Sequence, residues 1–158
     1  IDDKVFIGQT APKLSFNMRN EFTLYKNWDL SFQLYGRIGQ LSQFNEAANT
    51  DRFYDRSQFY KRPYWTPTNQ IDDYARMMSS LGSGIGLNVW RKSSFIRVNN
   101  VSFAYTTPKR LTDKLKLQSL KVYFNIQNAL TVSQWEYFDP ENKGFTPSYG
   151  TFGINMTL

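Results

Sequence analysis

From Lys13 to Leu24 the chain alternates: Leu14, Phe16, Met18, Phe22 and Leu24 share one parity, while Lys13, Ser15, Asn17, Arg19, Glu21 and Thr23 share the other. A period of two puts alternate side chains on opposite faces, so 13–24 reads as a strand with one apolar side. After the polar turn Tyr25-Lys26-Asn27 the pattern resumes over 28–40, with Trp28, Leu30, Phe32, Leu34 and Ile38 set against Asp29, Ser31, Gln33, Tyr35 and Arg37. The two segments predict a long hairpin. A third strand is expected over 95–106, with its halves out of phase: Ile96 and Val98 lie on the parity opposite to Val101, Phe103 and Tyr105. A bulge near Asn99-Asn100, or a strand that leaves the membrane band there, would account for the change. Pro108 ends the strand, because proline has no N–H for the ladder. The cleanest alternation is 119–131, where Leu120, Val122, Phe124, Ile126 and Leu130 oppose Lys121, Tyr123, Asn125 and Gln127. The last strand, 149–158, sets Phe152, Ile154, Met156 and Leu158 against Thr151, Gly153, Asn155 and Thr157.

These strands approach or exceed the roughly 9 to 11 residues that cross a bilayer when tilted. Their connections differ in kind. Residues 25–27 are a minimal turn and 107–118 a moderate one, whereas 41–94 run without sustained periodicity. Short turns alternating with very long loops describe an outer-membrane barrel, and Tyr25, Trp28 and Tyr105 at strand ends suit an interfacial girdle. Five strands do not close a barrel alone, since hydrocarbon offers no partner to an open edge. Either 41–94 hides three more strands or the chain is part of a larger barrel. A soluble all-β glycan-binding module, its site built from an aromatic loop, is the alternative architecture for the same alternation.

Composition narrows the chemistry. The 158 residues contain neither Cys nor His, which removes disulfides, cysteine nucleophiles, the usual zinc ligand sets and any His-based triad. No cofactor, metal or catalytic constellation is indicated, and the expected role is not enzymatic. The net charge is +6, from 19 Lys+Arg against 13 Asp+Glu. Half of the excess sits in 107–118, where Lys109, Arg110, Lys114 and Lys116 face Asp113 alone. The other basic residues are scattered among acids without a nucleic-acid-binding signature, so no nucleic-acid partner is expected. No apolar run is long enough for a spanning helix, and Ile1-Asp2-Asp3-Lys4 shows no signal-peptide architecture.

The run Ser94-Phe95-Ile96-Arg97-Val98-Asn99-Asn100-Val101-Ser102-Phe103-Ala104-Tyr105-Thr106-Thr107-Pro108 resembles the penultimate barrel region of SusC/RagA-type TonB-dependent transporters. Ser119 to Thr131, with its Gln127-Asn128-Ala129-Leu130 ending, is similar to that family's next strand. Tyr137-Phe138-Asp139-Pro140-Glu141 followed by Tyr149 to Leu158 is similar to its terminal loop and final strand, and Trp65-Thr66-Pro67 with Asn69 and Arg76 to an extracellular loop. Two departures stand out: Leu158 occupies the last position, where the family usually has Phe, and Thr68 to Asp73 replace a Glu-Asn-rich segment.

The resemblance implies an all-β fold: residues 1–158 as the C-terminal portion of the barrel, giving roughly the last five antiparallel strands of a plugged, 22-stranded-class transmembrane barrel, with 41–94 as one long extracellular loop. It places 25–27 and 107–118 in the periplasm and 131–147 outside, with the plug, TonB box and signal sequence upstream of Ile1. It further implies an outer-membrane importer of a Gram-negative, Bacteroidetes-like bacterium, taking up oligosaccharides or peptides. The expected partners are the rest of its own barrel and plug, outer-membrane lipid, the TonB complex and a SusD-like surface lipoprotein.

Candidate residues follow from chemistry and resemblance together. Aromatic rings stack on the apolar faces of sugars and peptides, and Tyr64, Trp65, Trp135 and Tyr137 are the candidates for substrate or lid contact. On the polar face, Arg19, Glu21, Asp29, Arg37 and Arg97 would line the lumen, either along the substrate path or against the plug, or else pair with one another between strands. Asp139-Pro140-Glu141 has the residue types of a glycosidase carboxylate pair, but such pairs need a fixed separation in a cleft, and a loop motif explains them better. Gly82-Ser83-Gly84-Ile85-Gly86 lacks the Lys-Ser/Thr that a phosphate loop requires.

Overall fold

The structure is a computed structural model, which describes residues 5–44, 63, 65–71, 74 and 89–158. Two compact units divide the chain, residues 1–40 with 93–158, and residues 41–92. The larger unit is one antiparallel sheet. Its strands are β1 (Leu14–Leu24), β2 (Trp28–Ile38), β5 (Phe95–Thr106), β6 (Ser119–Gln127), β7 (Leu130–Ser133) and β8 (Tyr149–Thr157). They lie in the order β1-β2-β5-β6-β8, with β7 also paired to β5. In the smaller unit, β3 (Leu41–Gln43) pairs with β4 (Trp90–Lys92), and Phe44 packs edge-on against Tyr74. The long segment 41–94 therefore opens and closes on a short strand pair that its lack of periodicity concealed.

Register shows how the alternation is used. Leu14, Met18, Phe22 and Leu24 stand opposite Ile38, Leu34, Leu30 and Trp28. Trp28 and Leu30 stand opposite Tyr105 and Phe103, which continue to Val122 and Phe124, and these to Ile154 and Phe152. All of these side chains share one face, because directly paired residues point the same way. The parity change in β5 is resolved by the expected bulge. Ser31 pairs with Ser102 but Gln33 with Asn99, so Asn100 and Val101 together oppose Phe32. Asn100 takes the left-handed conformation, at φ 49°, that such an extra residue uses. The bulge returns Ile96 and Val98 to the face of Val101, Phe103 and Tyr105, and β5 continues through it to Thr106.

The strand expected over 119–131 is interrupted. β6 ends at Gln127, Asn128 turns with φ 51°, and β7 resumes at Leu130 along the same edge of β5. The Asn99 carboxamide accepts the Asn128 backbone N–H at 2.7 Å, so the two irregularities face and satisfy each other. β2 ends two residues inside its expected limit, at Ile38, and β8 one, at Thr157.

Nothing among the described residues packs on the apolar face. Phe124 is 43% exposed, Ile154 50%, Phe152 66% and Val132 63%. The buried apolar residues of this unit, Phe95, Ala104 and Trp135, lie elsewhere: Phe95 and Ala104 on the polar face, where they pair with Arg37 and Asp29, and Trp135 in the loop after β7. Among the described residues no helix is long and apolar enough to cross a membrane, which says nothing about crossing by strands.

The connections gather at two ends of the sheet. At one, the turn 25–27 meets the start of 107–118 through Asn27, whose side chain donates to the Thr106 carbonyl at 2.7 Å. That connection carries the single helical turn α1 (Lys109–Lys114), and Gln118 donates to the Thr157 carbonyl at 2.8 Å. At the other end, Gln134 donates to the Ser94 carbonyl at 3.0 Å, and residues 134–148 form the loop between β7 and β8.

Gly36 marks a close approach on the apolar face. A Cβ there would lie 2.6 Å from the Phe95 carbonyl oxygen and 3.0 Å from the Phe16 ring. The ring can move aside, but the backbone oxygen of the neighbouring strand cannot. Gly36→Val should therefore destabilise the sheet by about 1–3 kcal/mol, seen as a lower urea midpoint of the intact protein by tryptophan fluorescence, and an unchanged midpoint would contradict this packing.

Candidate functional site

The polar face supplies the site. Along it Asn17, Gln33 and Asn100 form a relay across three strands: Gln33 donates to Asn17 at 2.9 Å and accepts from Asn100 at 3.0 Å. The bulge thus also turns an amide into this row. Arg19, Gln33, Asn100, Asn125 and Gln127 border a groove of about 330 Å³. A second groove beside it, bordered by Glu21, Asp29, Lys121 and Tyr123, shares Ser31, Ser102 and Asn125 with the first. Neutral amides and hydroxyls dominate both, so the wall offers donors and acceptors without one dominant charge.

The five charged residues expected on this face are all there, and each has an opposite charge beside it. Arg19 and Glu21 pair along β1 at 2.7 Å, both well exposed. Asp29 meets Lys121 at 3.0 Å, reaching from β2 over the small, buried Ala104 of β5 to β6. Arg37 and Arg97 enter a cluster with the loop after β7. Arg97 pairs with Asp139, both 5% exposed, and lies 3.7 Å from Glu141. Arg37 reaches Glu141 at 3.3 Å, and the Tyr35 hydroxyl donates to the same carboxylate at 3.1 Å. The Arg97 guanidinium stands 5.7 Å from the Tyr35 ring and 5.6 Å from that of Phe95, two rings that meet each other edge to face with centres 6.0 Å apart.

Asp139 is prepared for this role by its own backbone. Its Oδ1 accepts the N–H groups of Glu141 at 2.8 Å and Asn142 at 3.2 Å, the geometry of an Asx turn before Pro140-Glu141. Burial raises the Asp139 pKa, but the N–H donors of Glu141 and Asn142, the Thr146 hydroxyl and the Arg97 charge together outweigh it and hold the carboxyl below its ordinary value. Asp139 is therefore ionised and Glu141 is tied to two arginines. This is the chemistry of a fastening rather than of a proton-donating carboxyl facing a nucleophile.

The aromatic candidates are not brought together. Tyr64 lies outside the described residues. Trp65 is half-buried in the smaller unit, next to the Thr66–Asn69 bridge. Trp135 is 8% exposed in the loop after β7, with the Lys143 ammonium 5.7 Å from its ring. Tyr137 is half-buried against Phe138, their ring centres 4.3 Å apart. Sequence reasoning passed over Tyr35, Asn99 and Asn128. Tyr35 stood on the polar parity, and Asn99 sat at the phase change, which was the only signal for it.

Comparison with known proteins agrees with this architecture. No family model matches the chain. It is 27% identical over 146 residues to TonB-dependent receptor P3 of Formosa agariphila, a match that takes in 88% of the chain and 14% of that receptor. Its fold is similar to solved structures of the RagAB peptide importer: TM-score 0.68 with 20% identity in the closed-closed state, and 0.65 with 18% identity in the open-open state. Each of these covers 97% of this chain and 18% of the other. A RagAB peptide transporter structure gives TM-score 0.61 with 21% identity. The chain thus spans less than a fifth of the proteins it matches. Its resemblance to a SusC/RagA-type TonB-dependent receptor is borne out, and its antiparallel sheet with one helical turn is that of a partial β-barrel.

Breaking the cluster should release the loop. Asp139→Asn or Arg97→Met each strands a buried charge or its partner, a loss of about 3–5 kcal/mol for a pair of this kind. The measurement is limited proteolysis of 134–148 in the intact protein, with faster cleavage expected in both variants. Because folding lowers the Asp139 pKa, its contribution is fully present above the ordinary value of 3.8 and is lost as pH falls through the depressed one. Protection should therefore persist through mildly acid buffers and fail only below that range; loss near neutrality would contradict the assignment.

Proposed function

We propose that the chain is the C-terminal stretch of the wall of a TonB-dependent outer-membrane importer. The observation that carries this reading is the bare apolar face: six strands turn a continuous hydrophobic surface outward and their polar side chains the other way. Soluble monomers rarely expose contiguous apolar patches beyond ~300–600 Å². A barrel wall needs this arrangement, with lipid on one side and a wet lumen on the other. The outer edges of β1 and β8 have no strand beside them among the described residues, and in hydrocarbon such edges must be paired. In this reading β1 continues an upstream strand and β8 closes on the first strand of a 22-stranded-class barrel.

The residues then divide the work. Phe124, Phe152 and Ile154 face lipid. Arg19, Glu21, Asp29, Arg37 and Arg97 belong to the lumen wall, where their mutual pairing keeps the surface polar without a net pull on a passing solute. The loop 134–148 is read as extracellular, as is the long loop 41–94, and Tyr64, Trp65, Trp135 and Tyr137 are the candidates for contact with substrate or with a SusD-like surface lipoprotein. The plug and its TonB contact belong to the remainder of the protein, and the imported compound is an oligosaccharide or a peptide, both of which suit the amide-rich wall.

Two measurements test the reading. Phe124→Arg or Ile154→Arg in the full-length protein should weaken the folded barrel by about 2–4 kcal/mol if the site lies at mid-membrane, lowering the yield of heat-modifiable protein in outer-membrane fractions. Thr151→Arg, on the polar face beside Phe152, should assemble normally. Full insertion of both apolar-face variants, or a monomeric protein that stays folded in plain buffer, would instead favour a soluble β-module.

A further inference from the structure

The basic excess has a structural address. Lys109, Arg110, Lys114 and Lys116 are all exposed on or beside α1, with Asp113 the single acid among them. No ion pair engages any of the four among the described residues. Lys26 is exposed in the adjacent turn at the same end of the sheet. Interleaved with these charges, Leu111 is 49% exposed and Leu115 59%, one helical turn apart. The connection is anchored, not loose: Thr112 is 2% exposed, donates to the Lys109 carbonyl at 3.1 Å, and its own carbonyl accepts the N–H of Leu117 at 3.0 Å. The aromatic end of the apolar face adjoins it in sequence, with Trp28 tilted against Tyr105 at 4.4 Å and stacked on Phe103 at 5.0 Å, and Tyr105 only four residues before Lys109.

We propose that the 107–118 connection is an interfacial foot that binds anionic phospholipid headgroups in the leaflet on its side of the membrane. Exposed leucines among lysines, at the sheet end that carries Trp28 and Tyr105, form the pattern by which short amphipathic segments lie at a lipid surface: apolar side chains enter the acyl boundary while ammonium and guanidinium groups meet phosphates. Charge complementarity selects the occupant, since four cations with one acid attract an anionic headgroup and gain nothing from a zwitterionic one. The foot fixes how deep this end of the wall sits in the bilayer. This inference rests on the proposal that the apolar face lies in a membrane.

The test uses the intact receptor, purified in neutral detergent and titrated with phosphatidylglycerol or with phosphatidylcholine, the bound lipid being counted by mass spectrometry of the intact complex. Phosphatidylglycerol should be retained preferentially and lost as salt is raised. Neutralising Lys109, Arg110, Lys114 and Lys116 singly to Gln should lower that retention by about fivefold per charge, and Leu111→Gln with Leu115→Gln should lower retention of both lipids. Lys13→Gln, at the opposite end of the sheet, should change nothing. Equal retention of the two lipids by the wild type, or undiminished phosphatidylglycerol in the fourfold Gln variant, overturns the proposal. Fractionation separates the two failures: a receptor found in the outer membrane without headgroup preference loses only the foot, whereas one that is soluble without detergent loses the membrane reading itself.

Discussion

Everything in the larger unit is subordinate to a single layer of hydrogen-bonded strands whose two faces differ completely in polarity. In a soluble sheet the apolar face is covered by a second layer, and burial there drives folding. Here the buried apolar side chains sit on the polar side and in the loop after β7, while most of the large apolar ones point outward. Cohesion comes from the ladder between strands and from side-by-side packing along the apolar face, such as Trp28 against Phe103 and Tyr105. A hydrocarbon surrounding makes that arrangement favourable: it leaves the ladder no competitor for its hydrogen bonds and imposes no penalty on the exposed rings.

That constraint explains why the irregularities fall where they do. A slip of one residue would carry every apolar side chain of β5 to the wrong face. The bulge at Asn100 absorbs the odd residue, and the break at Asn128 accommodates it on the other side. Asparagine suits both sites because it tolerates the left-handed region, and the Asn99 side chain bonds directly to the Asn128 backbone. The same bulge delivers the Asn100 amide to the polar relay, so one local device serves both faces.

The two ends of the sheet are finished with different chemistry. One carries short connections, exposed cations and aromatic rings. The other carries a loop folded back onto the wall, where Arg37 and Arg97 hold Asp139 and Glu141. A buried ion pair adds little net stability by itself, because desolvation opposes the attraction; its value lies in specifying one placement. Backbone donors to Asp139 and the rings of Tyr35 and Phe95 beside Arg97 add to that placement of the loop.

The sequence alone determined the long strands, their apolar and polar parities and the phase change in β5, because these are local properties with a period of two. It also placed Arg19, Glu21, Asp29, Arg37 and Arg97 on one face. It did not pair them. Arg97 and Asp139 are 42 residues apart, and Tyr35 and Glu141 106 apart, with no periodic signal joining them. Nor did it show that Trp135 is buried or that 119–131 breaks at Asn128, since both depend on what the neighbouring strand and loop present. Alternation says which side of a ribbon a residue occupies; only the tertiary arrangement decided that no second layer among the described residues covers the apolar side, and which distant carboxylates fasten the polar one.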